Sequence, residues 1–140
     1  MAEDNHKEFV DIQAIMMDMR LVQQKSKAFL DILTSNDVLS QNHITLLMDL
    51  KLSGSMRITE IAERFFITAG AATSMCDKLE EQQLVSRIRS KEDRRVVMVA
   101  LTKAGEEKVY EIFTRIPAQK LRTISHVFRQ VNELMTQIID

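Results

Sequence analysis

The stretch Ser90–Gly105, SKEDRRVVMVALTKAG, sets a knot of charge directly before a run of β-prone residues. Upstream of it, Leu84–Arg89 (LVSRIR) alternates apolar and polar residues, placing Leu84, Ser86 and Ile88 on one face. Val96–Leu101 (VVMVAL) is rich in β-branched residues and continuously apolar. Two such runs joined by a charged connection predict a β-hairpin with a basic tip. Thr102 is then placed to cap a helix, with Glu106 and Glu107 near its positive end.

Outward from the hairpin the period is helical. One proline and three glycines in 140 residues leave little to interrupt helices. Toward the N-terminus, Ala72, Met75, Cys76 and Leu79 stand at i, i+3, i+4 and i+7, an inward stripe. The other face of that helix is small and polar: Gly70, Ala71, Thr73, Ser74 and Lys78. Thr68 supplies its N-cap. Before it, ITEIAERF reads as a short helix with Ile58, Ile61, Ala62 and Phe65 inward. Another helix carries Ile44, Leu47, Met48 and Leu50 and stops near Ser53-Gly54-Ser55. From about Asn5 to Leu33, Phe9, Ile12, Ile15, Met16, Met19, Val22, Phe29, Leu30 and Leu33 recur in steps compatible with one long helix, closed by turn signals at Asn36, Asp37 and Ser40.

Beyond the hairpin, Val109, Ile112, Phe113 and Ile116 mark a helix that Pro117 either breaks or follows with a new first turn. Leu121, Ile124, Val127, Phe128, Val131, Leu134, Met135 and Ile138 mark the last helix. The long terminal stripes exceed what so small a chain can hide, so they predict self-association. The expected organisation is a dimerisation helix over 1–36, a binding lobe over 37–103 and dimerisation helices over 104–140. The fold class is mainly α (α+β).

A helix, a turn, a small-faced helix and a basic hairpin form the pattern of a winged helix-turn-helix. The second helix of such a pair enters the major groove of DNA. Thr68–Gln82 is then the recognition helix, with Thr68, Gly70, Ala71, Thr73, Ser74 and Lys78 toward the groove. The charged knot is the wing. Arg87, Arg89, Lys91 and Arg94 attract phosphate, Asp93 holds the tip by pairing locally, and Arg95 enters the minor groove. Residues 87–95 carry five basic and two acidic groups, whereas residues 1–40 carry four basic and seven acidic. The net charge of −1 hides this local patch, which can still steer a polyanion. By charge alone, a solvated loop is the simpler explanation.

The same residues resemble the MarR-type transcription regulators. The resemblance lies in LSQNHITLLMDL, ITEIAERF, ATSMCDKLEEQQLVSR and above all Asp93-x-Arg95, followed by Val97, Val99 and Leu101-Thr102-x-x-Gly105. It covers about Leu39 to Val109. It implies a homodimer whose terminal helices interlock, two winged lobes on a pseudo-palindromic DNA site, and in many members a repressor released by a small amphipathic effector. Four positions depart from the family pattern. Gln83 replaces a glycine after the recognition helix, where a left-handed residue would cost glycine little, so Gln83 either tolerates that conformation or ends the helix differently. Phe66 stands in the helix-helix turn where a small residue is common. Arg57 replaces a capping Thr or Ser. Ser74 replaces an arginine, the usual bidentate reader of guanine. Short side chains in its place imply more dependence on the wing and on DNA shape.

Other functions find little support. No Ser-His-Asp, Cys-His or paired-carboxylate arrangement and no phosphate-binding Gly-rich loop stands in a convincing context, so no enzyme and no cofactor is expected. His6, His43 and His126 are isolated, which argues against a metal site. The single Cys76 lies on the inward stripe and reads as core rather than sensor. The Met residues at 16, 17, 19 and 135 read as core or interface rather than a ligand pocket. A polar N-terminus and the absence of a long apolar run predict a cytoplasmic protein with no membrane partner. Two alternatives stay open: a helical module that uses its winged lobe on protein without DNA binding, and a thiol- or metal-responsive member of the same family.

Overall fold

The structure, a computed structural model, describes the backbone of residues 2–139 and side chains from Asp11 to Ile139. His6 and Phe9 therefore lie outside the described side chains. Two units are distinguished, Met1–Gln41 and Asn42–Asp140.

The first unit is essentially one helix, α1 (Ala2–Thr34). It closes at Asn36, whose φ of 63° is left-handed, a conformation that asparagine tolerates better than most residues. Asp37 Oδ1 then accepts the Leu39 N–H at 3.0 Å and turns the chain. Along α1, Ile12, Ile15, Met16, Met19 and Val22 form a helical stripe that is more than half exposed.

The second unit contains α2 (Gln41–Ser53, whose first residue belongs to the preceding unit), β1 (Ser55–Arg57), α3 (Ile58–Phe65), α4 (Ala69–Glu81), β2 (Val85–Arg89), β3 (Val97–Leu101), α5 (Lys103–Thr114) and α6 (Ala118–Ile139). The three strands form an antiparallel sheet in the order β1-β3-β2. β1 was not expected. It is three residues long and pairs Met56 with Val99, which also faces Arg87 of β2. The buried core comprises Ile44, Leu46, Leu47 and Leu50 of α2, Met56, Ile61 and Ala62, Ala72, Cys76 and Leu79 of α4, Val85, Val99, and Val109 and Ile112 of α5. In β2 the inward anchor is Val85, whereas Ile88 is 46% exposed on the opposite face. The terminal helix α6 buries no residue. Its apolar residues, from Val127 and Phe128 to Leu134 and Ile138, are exposed.

Helix ends explain much of the local structure. Thr68 accepts the Ala71 N–H at 3.1 Å and starts α4. Thr102 accepts the Gly105 N–H at 3.0 Å and starts α5. Arg57 has no acceptor to offer the first turn of α3; instead Glu60 Oε1 accepts the Arg57 N–H at 3.2 Å. Pro117 both ends one helix and precedes the next, its carbonyl accepting the Leu121 N–H at 3.0 Å. Gly54 stops α2 with φ 85°. Helices α3 and α4 end differently from α2, because non-glycine residues take the left-handed position: Phe66 (φ 55°) and Gln83 (φ 61°). Around each, the following N–H reaches five residues back, Ile67 to Ala62 and Leu84 to Leu79, both at 3.0 Å. This is the six-to-one bond of a Schellman ending, normally built on glycine.

Candidate nucleic-acid interface

The exposed face of α4 follows from its stripe. Ala72, Cys76 and Leu79 are fully buried, so the opposite side turns outward with Gly70, Ala71, Thr73, Ser74 and Lys78 all exposed. Thr68, one residue before the helix, is exposed as well. Its oxygen is occupied by capping, which leaves the hydroxyl proton free to donate. The face is short-sided apart from Lys78, so another backbone can approach closely. The positive charge of Lys78 and partial burial hold the pKa of His43 below its ordinary value, with burial the larger cause.

α4 is joined to the hairpin by Arg87. This residue of β2 donates from Nη2 to Asp77 and lies with Nη1 3.0 Å from Glu80 Oε2. Asp77 and Glu80 are one helical turn apart, so a single guanidinium grips two rungs of α4. Arg87 was expected beside phosphate. In the structure its guanidinium is engaged by the Asp77 and Glu80 carboxylates and sits partly shielded.

The wing tip is built from its own short side chains. Ser90 N–H donates to Val96 O at 2.9 Å and Val96 N–H to Asp93 O at 3.0 Å. Ser90 Oγ accepts from the Glu92 and Asp93 N–H groups. Arg89 Nη1 donates across the tip to Arg94 O at 2.9 Å. Asp93 makes three contacts with Arg95. Its Oδ1 accepts from the backbone N–H and from Nε, and its Oδ2 accepts from Nη2, each at 3.1 Å. Two parallel charge-assisted bonds of this kind fix a planar guanidinium in orientation. They also hold the Asp93 carboxyl below the usual carboxylate range, the Arg95 side chain contributing more than its N–H. The Arg95 side chain remains 91% exposed. Lys91 and Arg94 are exposed beside it. The structure therefore gathers Arg89, Lys91, Arg94 and Arg95 at one tip, with Asp93 bracing Arg95.

Gly105 ties this hairpin to α5. A Cβ built there would lie 3.0 Å from the Leu84 carbonyl carbon, nearer still to its oxygen, and 3.1 Å from Leu101 Cδ2. Only glycine lets α5 start so close to β2. The approach is used: Thr102 N–H donates to Leu84 O at 3.1 Å, and Thr102 Oγ1 donates to Gln83 O at 2.6 Å. The Leu101-Thr102-x-x-Gly105 spacing thus has a steric cause.

Cys76 is buried, and burial pushes its thiol pKa up, which disfavours the reactive thiolate. Among the described residues no cluster of three or more His, Cys, Asp or Glu side chains could hold a metal. No described helix is long and apolar enough to cross a membrane.

Residues 39–97 match the sequence profile of the MarR family. The chain is 41% identical over 69 residues to the uncharacterized HTH-type transcriptional regulator YpoP of Bacillus subtilis, covering 49% of each chain. It is 38% identical over 80 residues to the HTH-type transcriptional repressor MdtR of the same organism, covering 57% of this chain and 52% of the relative. The matched region thus spans about half the length of these curated relatives. In fold it is similar to a mutant MarR from E. coli, whose structure was solved in complex with operator DNA. That likeness has a TM-score of 0.56 and 20% identity, over 86% of this chain and 95% of the other. The match to the family profile over residues 39–97, the winged helix-turn-helix architecture and the relatives agree in likening the winged lobe of this chain to the MarR family.

Proposed function

We propose that the chain is a homodimeric, sequence-specific DNA-binding transcription regulator that represses pseudo-palindromic operators. One observation carries the reading. The same lobe leaves exposed both the small-sided face of α4 and a tip bearing Arg89, Lys91, Arg94 and Arg95, and Arg87 ties these two elements together. A short-sided helix fits the major groove closely, while an exposed cationic tip suits phosphate and the minor groove. In this reading Thr68, Gly70, Ala71, Thr73, Ser74 and Lys78 face the groove, Lys91 and Arg94 take phosphate, and Arg95, aimed by Asp93, enters the minor groove. Arg87 acts as a positioning residue that sets the helix against the wing.

The exposed stripes of α1 and α6 support self-association, because apolar rows of this length are costly to leave in water. Two lobes related by a two-fold axis then require a site with matching symmetry. The names of the relatives, a repressor among them, support regulation as the output. The work is binding, not catalysis, and its setting is the cytoplasm. A small amphipathic molecule is the class of effector that would release the DNA.

The test is selection of bound fragments from a random duplex library by the full chain. The expected result is enrichment of an inverted repeat whose half-sites are about one helical turn apart, or a multiple of that. Recovery of unenriched sequence, or of a single unrepeated half-site, would contradict the dimeric operator reading.

A further inference from the structure

Phe66 combines two unfavourable features at one position. Its side chain is 95% exposed, the most exposed of the large apolar residues among those described. Its backbone holds φ 55° and ψ 44°, a region that bulky side chains avoid. The preceding residue shows what a buried alternative looks like, since Phe65 is partly covered and lies 5.5 Å from the Arg64 guanidinium. Glycine would serve the turn better, and a polar residue would serve the surface better. An outlier of this kind is grounds for a functional hypothesis.

The position supplies the partner. Phe66 lies two residues before Thr68, and the exposed first turn of α4, Gly70 and Ala71, follows directly. A recognition helix puts its N-terminal residues against base edges. The turn that precedes them is then carried to the rim of the groove, where the sugar-phosphate backbone runs. We propose that Phe66 is a DNA contact whose ring lies on the deoxyribose face of the backbone at the rim of the groove that α4 enters. This rests on the reading of α4 as the DNA-reading helix. A phenyl ring displaces no counterion, so its contribution does not depend on salt. It reads no donor or acceptor, so it strengthens binding without selecting a base.

The experiment compares Phe66→Gly and Phe66→Leu with the parent, using the most enriched duplex from the random-library selection, or a fixed duplex of arbitrary sequence if none is enriched. Melting temperature and affinity are measured across a salt series. Phe66→Gly is expected to melt no lower than the parent, because glycine suits the left-handed turn. Its affinity is expected to fall about five- to tenfold, the order that follows from losing part of a ring's burial. The salt slope should stay that of the parent, and Phe66→Leu should recover part of the affinity. Parent-like binding by Phe66→Gly overturns the proposal. So does a loss of affinity that comes with a lower melting temperature, since the ring would then be supporting the lobe. A parent that binds no duplex overturns the DNA reading itself and this contact with it, an outcome distinct from a binding parent with an indifferent Phe66.

Discussion

Gly105→Ala puts the packing of the wing against α5 to a test in which the sign of the effect decides. In an ordinary helix, replacing glycine with alanine stabilises by up to about 1 kcal/mol. At Gly105 the added methyl would press on the Leu84 carbonyl, with its carbon at 3.0 Å and its oxygen closer, and on Leu101 Cδ2 at 3.1 Å. The Leu84 peptide, in the bend just before β2, is held by its N–H on Leu79 O and by the Thr102 N–H on its own carbonyl, so α5 has to lift. Overpacking of this kind costs about 1–3 kcal/mol. Lifting α5 also stretches two bonds, Thr102 N–H to Leu84 O and Thr102 Oγ1 to Gln83 O. Each contributes about 0.5–1.5 kcal/mol. The expected loss is therefore about 2–6 kcal/mol, read from urea denaturation followed by circular dichroism at fixed protein concentration. A variant as stable as the parent, or more stable, would show that the close approach does not exist and would refute the steric account of the Leu101-Thr102-x-x-Gly105 spacing.

Three further outcomes are expected. Gln83→Gly should stabilise the fold by about 0.5–1 kcal/mol by relieving the left-handed residue after α4, measured by the same denaturation; a loss of that size would contradict the strain assigned there. Cys76→Ala should lose about 1–2 kcal/mol of stability from the cavity left in the core while binding DNA like the parent, and mild peroxide should leave the parent's binding unchanged; rapid release by peroxide that the substitution abolishes would reveal a sensor. Combining Ile12→Asp with Leu134→Asp should give unfolded or aggregated chain in sedimentation and circular dichroism, whereas a soluble, folded monomer would contradict the proposed dimer.

The helices and the hairpin were legible because burial imposes its period on the sequence: Ala72, Cys76 and Leu79 recur at helical spacing and are the buried stripe of α4. Thr68 and Thr102 announced helix starts because their hydroxyls do local work that depends on few other residues. β1 was missed because three residues carry no period, and only pairing with β3, more than forty residues away, makes them a strand. In the sequence, nothing sets Arg87 apart from the other wing cations. Its neighbours Asp77 and Glu80 lie ten and seven residues upstream on a different element, and only the docking of β2 on α4 brings the charges together. The inward face of β2 was obscure for a related reason. In Leu84–Arg89 both alternating sets contain an apolar residue, and the sheet, not the alternation, selects Val85 over Ile88 for burial. The left-handed states of Phe66 and Gln83 have no signal in the residue types, which disfavour that conformation; only the family pattern pointed to one of them, through the glycine that Gln83 replaces.

The central claim is that this lobe binds duplex DNA through groove and wing. It is tested most directly by a salt titration of the full chain on the enriched duplex, alongside Lys91→Ala and Arg95→Ala and a copy with G·C pairs beneath the wing. The account predicts a steep fall of affinity with salt, since each phosphate neutralised contributes about −0.9 to the logarithmic slope. Lys91→Ala should weaken binding on both duplexes alike and lower the slope by about one. Arg95→Ala should cost about 1–3 kcal/mol on the enriched duplex and flatten the preference for A·T beneath the wing. A parent whose binding ignores salt would contradict the DNA reading altogether. An Arg95→Ala variant that loses affinity without regard to sequence, as Lys91→Ala is expected to, would reduce the wing to a phosphate clamp.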